Sequence, residues 1–126
     1  MVRRRETGAA VVDFVLVGSM LTFLFLGIVQ LGLALHVRNT LIASASEGAR
    51  FGARADVDPA IGAERARSLI ASSLSDRFAR DVSVSVEDAD GVQVVVVRVR
   101  APLPVIGLVG PGDGFDVVGR AFEERQ

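Results

Sequence analysis

The chain has 126 residues, of which half are hydrophobic and 23% are charged, and its formal net charge is −1. A chain of this length is enough for one domain, and the near-zero charge argues against a nucleic-acid binder, which needs a basic patch. There is no Cys and a single His, His36, so a disulfide framework, a cysteine nucleophile and a zinc site built on Cys or several His are excluded.

The first predicted element is a long apolar helix behind a short basic leader. Residues 14–35 carry no charge, and as a helix they would extend about 33 Å, enough to cross a hydrocarbon core of about 30 Å. A helix that is apolar all round needs either a large protein or a lipid bilayer to cover it. The sequence therefore predicts a basic leader at 1–8, a transmembrane helix at 9–35 and an exterior domain at 36–126.

The arginines around the apolar segment predict its orientation at the cell membrane. Arg3, Arg4 and Arg5 precede it, whereas Arg38 is the only cation just behind it. The positive-inside rule keeps the arginine-rich end in the cytoplasm and places the C-terminal domain outside. A cleaved secretory signal peptide is the alternative, because residues 43–45 read Ala-Ser-Ala, but the apolar run exceeds the usual length of about 7–15 residues.

Two residues mark the junction between the leader and the apolar segment. Gly8 ends the basic leader, and Asp13 lies at the edge of the apolar segment, directly before Phe14. A carboxylate beside a membrane span tends to be functional, whereas one that faces interfacial water costs little. Cleavage after Gly8 would make Ala9 the N-terminus, and its amine would lie one helical turn from the Asp13 carboxylate, on the same face.

Beyond the membrane, the helix is expected to continue to about Ala55 and to carry two stripes of small residues. Small residues four positions apart allow another helix to approach closely. One stripe is expected to pack within the chain's own domain and the other against another subunit, and the pattern does not distinguish them. The stripes are Ser44, Gly48 and Gly52, and Ala45, Ala49 and Ala53.

A second, amphipathic helix is expected from Pro59 to about Ala79. Asp58 suits its N-cap, and Pro59 suits its first helical position. The apolar face repeats at four-residue steps and consists of Ala66, Ile70, Leu74 and Phe78, with Leu69 beside them.

Three strands are expected behind this helix. Alternation of Val with polar residues over 82–87 predicts a half-buried strand, and Asp90-Gly91 predicts a hairpin turn. The next strand, 92–101, is expected to be central because it is apolar on both faces along most of its length. Pro102 and Pro104 are expected to end that strand. A loop is then expected at 107–114, a third strand at 115–122 and a polar tail at 123–126. The expected fold class is α+β, with a small three-stranded antiparallel sheet.

The leader junction and the segment beyond the membrane resemble a known family. The run from Gly8 to Phe14 has the form G-x4-[E/D]-F and resembles the class III signal sequence of type IV pilins. The closer resemblance is to the TadE-like family of minor pilins, or pseudopilins, of the tight-adherence (Flp) pilus. Its Ala/Gly-rich A-R-x-G-A-R-[YF] stretch is similar to residues 37–53. The resemblance covers about residues 7–54, and the family more often has Glu at the position of Asp13.

This resemblance implies a structural, single-pass membrane protein for assembling an adhesive pilus. A prepilin peptidase would cleave between Gly8 and Ala9. Asp13 and Phe14 would then serve assembly. The expected partners of the chain are other pilins and pseudopilins, the pilus assembly platform in the membrane and the lipid bilayer. An unprocessed, membrane-anchored exterior binding module is the alternative function.

No enzyme activity, cofactor or metal site is expected. His36 lies at the predicted membrane boundary with no carboxylate close to it in sequence. The glycine-rich residues 110–114 lack the lysine and the following helix of a phosphate-binding loop. The loop acids do not follow the spacing of a calcium-binding EF-hand; they are Asp56, Asp58, Asp88 and Asp90.

Overall fold

The computed structural model describes residues 2–54, 56–102 and 114–123, with side chains from residue 5 onward. These residues form two α-helices, one turn of 3-10 helix and a three-stranded antiparallel sheet, which confirms the expected α+β class. In chain order the elements are α1 (Val2–Gly52), α2 (Ala60–Ser73), the 3-10 turn (Asp76–Ala79), β1 (Asp81–Ala89), β2 (Val92–Ala101) and β3 (Phe115–Phe122).

Several expectations fall wholly or partly outside the described residues. They are the end of the first helix at Ala55, the strand-ending Pro104, most of the loop at 107–114 and the polar tail beyond Glu123.

The chain divides into two compact units, Met1–Leu33 and Ala34–Gln126, here called the N-terminal and C-terminal units. In the N-terminal unit the large apolar side chains of α1 are exposed, with Phe14 at 78% and Phe23 at 75%. Arg5–Gly52 is long and apolar enough to cross a membrane, and its most apolar window is not buried at all within the chain. Leaving such side chains in water forgoes about 1.5–3 kcal/mol each, so a single-pass membrane helix fits this exposure.

The core of the C-terminal unit lies between the later part of α1, helix α2 and one face of the sheet. Its largest fully buried side chains are Leu41, Ile70, Val95, Val97 and Val99. Strand β2 lies between β1 and β3, so the prediction that the doubly apolar strand is central is confirmed. In the antiparallel register Val97 faces Val84 on one side and Gly119 on the other.

The hairpin between β1 and β2 has the predicted turn. Asp90 and Gly91 have φ values of 54° and 83°, and this left-handed pair is what a two-residue hairpin of type I′ requires. The Gly91 N–H donates to Asp88 Oδ1 at 3.0 Å. Strand β1 is longer than expected, since it runs over Asp81–Ala89. Val82 on this strand is buried, but Val86 is 45% exposed.

Helix α2 begins at Ala60, one residue later than expected, with Pro59 at its N-cap position, and it is shorter than predicted. Asp58 Oδ1 accepts a hydrogen bond from the Ala60 N–H at 3.0 Å, so Asp58 caps the first turn. The Leu74 N–H still donates to the Ile70 carbonyl at 2.8 Å, but Leu74 has left helical geometry and Ser75 is extended. Serine competes for backbone hydrogen bonds and favours helix ends, so the serine-rich 72–75 stretch ends the helix before Ala79.

Candidate functional site

The residues of the predicted leader junction lie in regular, exposed helix. Gly8, Ala9, Asp13 and Phe14 all belong to α1 and all four are exposed. A Cβ added to Gly8 would meet nothing within 4 Å, so the backbone there is open to another molecule. Ala9 and Asp13 are four residues apart on the helix and therefore share a face. Among the described residues, Asp13 forms no ion pair.

The first stripe of small residues packs against α2. Ser44, Gly48 and Gly52 are buried. A Cβ added to Gly48 would lie 2.5 Å from the Gly62 carbonyl oxygen and 2.8 Å from the Ala66 Cβ. A Cβ on Gly62 would in turn lie 2.6 Å from the Gly48 carbonyl oxygen. The two helices thus approach backbone to backbone, because both lack a side chain at the crossing.

The second stripe faces the sheet. Ala45, Ala49 and Ala53 are at most 2% exposed. Gly119 of β3 lies directly on the α1 backbone, and a Cβ added to Gly119 would overlap main-chain atoms of Ala45 and Ser46. Small side chains along this stripe therefore let the sheet approach the helix.

Both stripes are therefore used inside the chain's own C-terminal unit. This differs from the expectation that one of them faces another subunit. The partners, Gly62 and Gly119, were not singled out in the sequence, although an isolated glycine within a helix or strand pattern signals close backbone approach. The large apolar side chains that α1 leaves exposed lie mainly in the N-terminal unit.

The C-terminal unit also carries a basic and aromatic surface near the end of α1. The Arg54 guanidinium lies 4.8 Å from the centre of the Phe51 ring, and that of Arg65 lies 5.8 Å from it.

On the sheet, Asp116 lies 3.9 Å from Arg98 and 4.0 Å from Arg100, and all three side chains are about half exposed. Exposed pairs of this kind contribute at most about 1 kcal/mol.

The described residues do not assemble a reactive site. No group of three or more His, Cys, Asp or Glu side chains within them could hold a metal ion. His36 and Glu47 line the same open groove between α1 and α2. Their eleven-residue separation corresponds to about 16 Å along the helix, so they do not form an acid–base pair.

One family comparison matches this region of the chain. The model described as TadE-like protein matches residues 8–50, which confirms the resemblance seen in the sequence. No curated protein and no solved structure shows significant similarity to the chain. The match begins at Gly8, covers the apolar helix and ends within the two small-residue stripes. Over residues 8–50, therefore, the chain is similar to the TadE-like family.

Proposed function

We propose that the chain is a structural minor pilin, or pseudopilin, that serves assembly of a tight-adherence pilus after a prepilin peptidase cleaves it between Gly8 and Ala9. The observation that carries this proposal is that the TadE-like match begins at Gly8. At that point a basic leader meets an apolar helix, and the glycine backbone is open. A peptidase acting at the cytoplasmic interface needs such access to the scissile bond.

The proposed orientation follows from the charges that flank the helix. Arg3, Arg4 and Arg5 hold the leader in the cytoplasm, and the C-terminal unit lies outside the cell membrane. Cleavage removes all three arginines together with Glu6, so the mature helix loses the cationic end that retains it on the cytoplasmic side. Subunits can then be drawn from the bilayer into a helical bundle with other pilins at the assembly platform.

Asp13 and Phe14 have assembly roles in this proposal. In a bundle that excludes water, an unpaired carboxylate costs several kcal/mol. The Ala9 amine freed by cleavage neutralises Asp13, either within the chain or on the adjacent subunit. Phe14 is exposed in the isolated chain and supplies apolar surface beside this ion pair, where a neighbouring helix would cover it.

Intact mass of the membrane-bound protein tests the processing step. With an active prepilin peptidase, the wild-type chain should begin at Ala9, and Gly8→Val should keep the leader because the new side chain obstructs the peptidase. Gly18→Val is the matched control, since Gly18 is an equally open glycine of α1 but lies away from the junction. A wild-type chain that still begins at Met1 would instead favour an unprocessed, membrane-anchored binding module.

A further inference from the structure

The direction of β3 shows which end of the sheet lies where α1 enters the C-terminal unit. A Cβ on Gly119 would overlap the α1 backbone at Ala45. Phe122, three residues later in β3, lines a groove with Arg54, nine residues later in α1. Strand β3 therefore runs in the same direction as α1. Its first residue, Phe115, lies toward the end of the unit where α1 enters directly behind the apolar segment, here called the proximal end.

The connection between α2 and β1 also begins at the proximal end. A Cβ on Gly52 would lie nearest to the Pro59 carbonyl oxygen, at 3.0 Å, whereas a Cβ on Gly48 would lie 2.8 Å from the Ala66 Cβ. Later residues of α2 thus face earlier residues of α1, and the two helices are antiparallel. The residues that follow α2, at 74–80, therefore begin at the proximal end.

Three arginines line an open depression at this end. Arg77 and Arg80 come from the α2–β1 connection and Arg100 comes from β2, and all three side chains are exposed. The depression also contains Asp81 and Asp116, of which Asp116 lies 4.0 Å from Arg100. Within the described part of the chain, Arg77 and Arg80 form no ion pair, so their guanidinium groups are available to bind an anion.

The hairpin at the opposite end of the sheet carries the opposite charge. Residues 87–93 contain three exposed acids and no arginine. A negatively charged surface would therefore attract the proximal depression and repel the hairpin. The acids are Glu87, Asp88 and Asp90.

We propose that Arg77, Arg80 and Arg100 bind the phosphate groups of anionic phospholipids in the leaflet from which α1 emerges. Arginine offers several N–H donors in a planar fork that matches the oxygens of a phosphate. Lipid headgroups are the phosphates that the proximal end meets when α1 crosses a bilayer, because the apolar segment ends directly before His36. The contact requires neither cleavage after Gly8 nor a pilus, so its failure would leave the proposed function as it stands.

A single tryptophan can report on this contact because the natural chain has none. Phe115 lines the depression, and Phe122 lies about 23 Å away along the same strand. Full-length Phe115→Trp and Phe122→Trp chains would be placed in phosphatidylcholine vesicles with a fixed share of headgroup spin-labelled lipid and an increasing share of phosphatidylglycerol. Fluorescence quenching of the Phe115→Trp chain should increase with phosphatidylglycerol, and that of the Phe122→Trp chain should not change.

A double variant tests whether the arginines cause this response. In the Phe115→Trp chain, Arg77→Gln with Arg80→Gln should weaken the response to phosphatidylglycerol about 25-fold, because each arginine near an anionic surface contributes about fivefold. Arg54→Gln with Arg65→Gln is the control. It removes the same charge from exposed positions near the end of α1 and should respond as the parent does.

The same assay separates a lipid headgroup from a free phosphate ion. Excess inorganic phosphate at constant ionic strength should not reverse the quenching, because the membrane holds its headgroups beside the site at a high effective concentration. Reversal would identify a free ion as the ligand and would overturn the proposal. Quenching that does not depend on phosphatidylglycerol, or equal responses of the two double variants, would also overturn it.

Discussion

Gly119 of β3 lies against the α1 backbone at Ala45, so closely that a Cβ atom on Gly119 would overlap the main chain of α1. The strand register places Gly119 opposite the fully buried Val97. This contact therefore joins the edge strand β3, at the point where it pairs with the buried part of β2, to α1 in the C-terminal unit.

A methyl group at position 119 should separate the sheet from the helix. Because the obstructing atoms belong to the main chain of Ala45 and Ser46, they cannot move aside as the end of a flexible side chain would. We expect Gly119→Ala to lower the free energy of unfolding by about 1–3 kcal/mol. Denaturant titration of the full-length chain in detergent, followed by circular dichroism, measures this change.

The matched control for that variant is Gly32→Ala. It adds the same atom to α1 where nothing lies within 4 Å, and alanine favours a helix over glycine by about 1 kcal/mol. Gly32→Ala should leave the unfolding transition unchanged or raise it slightly. Equal stability of the two variants would contradict the close contact between Gly119 and Ala45.

The crossing of α1 and α2 should show a graded response to added methyl groups. A Cβ at position 48 would lie 2.5 Å from the Gly62 carbonyl oxygen, whereas one at position 52 would come no closer than 3.0 Å to the Pro59 carbonyl oxygen. Each substitution gains about 1 kcal/mol of helix propensity, but overpacking costs about 1–3 kcal/mol. Overpacking should therefore prevail at Gly48, and the two terms should nearly cancel at Gly52.

The measurement for this series is again the unfolding free energy of the full-length chain. We expect Gly48→Ala to be less stable than Gly52→Ala, and Gly52→Ala to be close to the wild type. The reverse order would mean that the helices cross elsewhere along the stripe.

The carboxylate at position 13 should affect assembly and not cleavage. If Asp13 neutralises the freed Ala9 amine, Asp13→Ala should still be cut after Gly8 but should accumulate in the membrane and be missing from sheared filaments. Asp13→Glu should assemble, because it keeps the charge and restores the residue more frequent in the TadE-like family. Intact mass reports on cleavage, and immunoblotting of sheared filaments reports on assembly.

Asp56→Ala is the control for the loss of one negative charge, since Asp56 is an exposed acid outside the apolar helix. It should be cleaved and assembled as the wild type is. Wild-type assembly of Asp13→Ala would refute the ion-pair role and would leave the membrane anchor and the cleavage site unaffected.

The features predictable from the sequence are those that depend on contiguous residues. The charge-free run at 14–35 is long enough for a membrane helix, whatever the rest of the chain does. The apolar residues on both faces of 92–101 require burial on both sides, which only a central strand provides. The Asp90-Gly91 pair supplies the left-handed conformations of the hairpin turn by its own backbone preferences. The TadE-like resemblance is likewise carried by short, contiguous motifs.

The tertiary structure decided what depends on residues far apart in the chain. Spacing alone identified both small-residue stripes of α1 but not their partners, because a small residue permits close approach without specifying the surface that approaches. The partners became visible only when the fold brought Gly62 to Gly48 and Gly119 to Ala45.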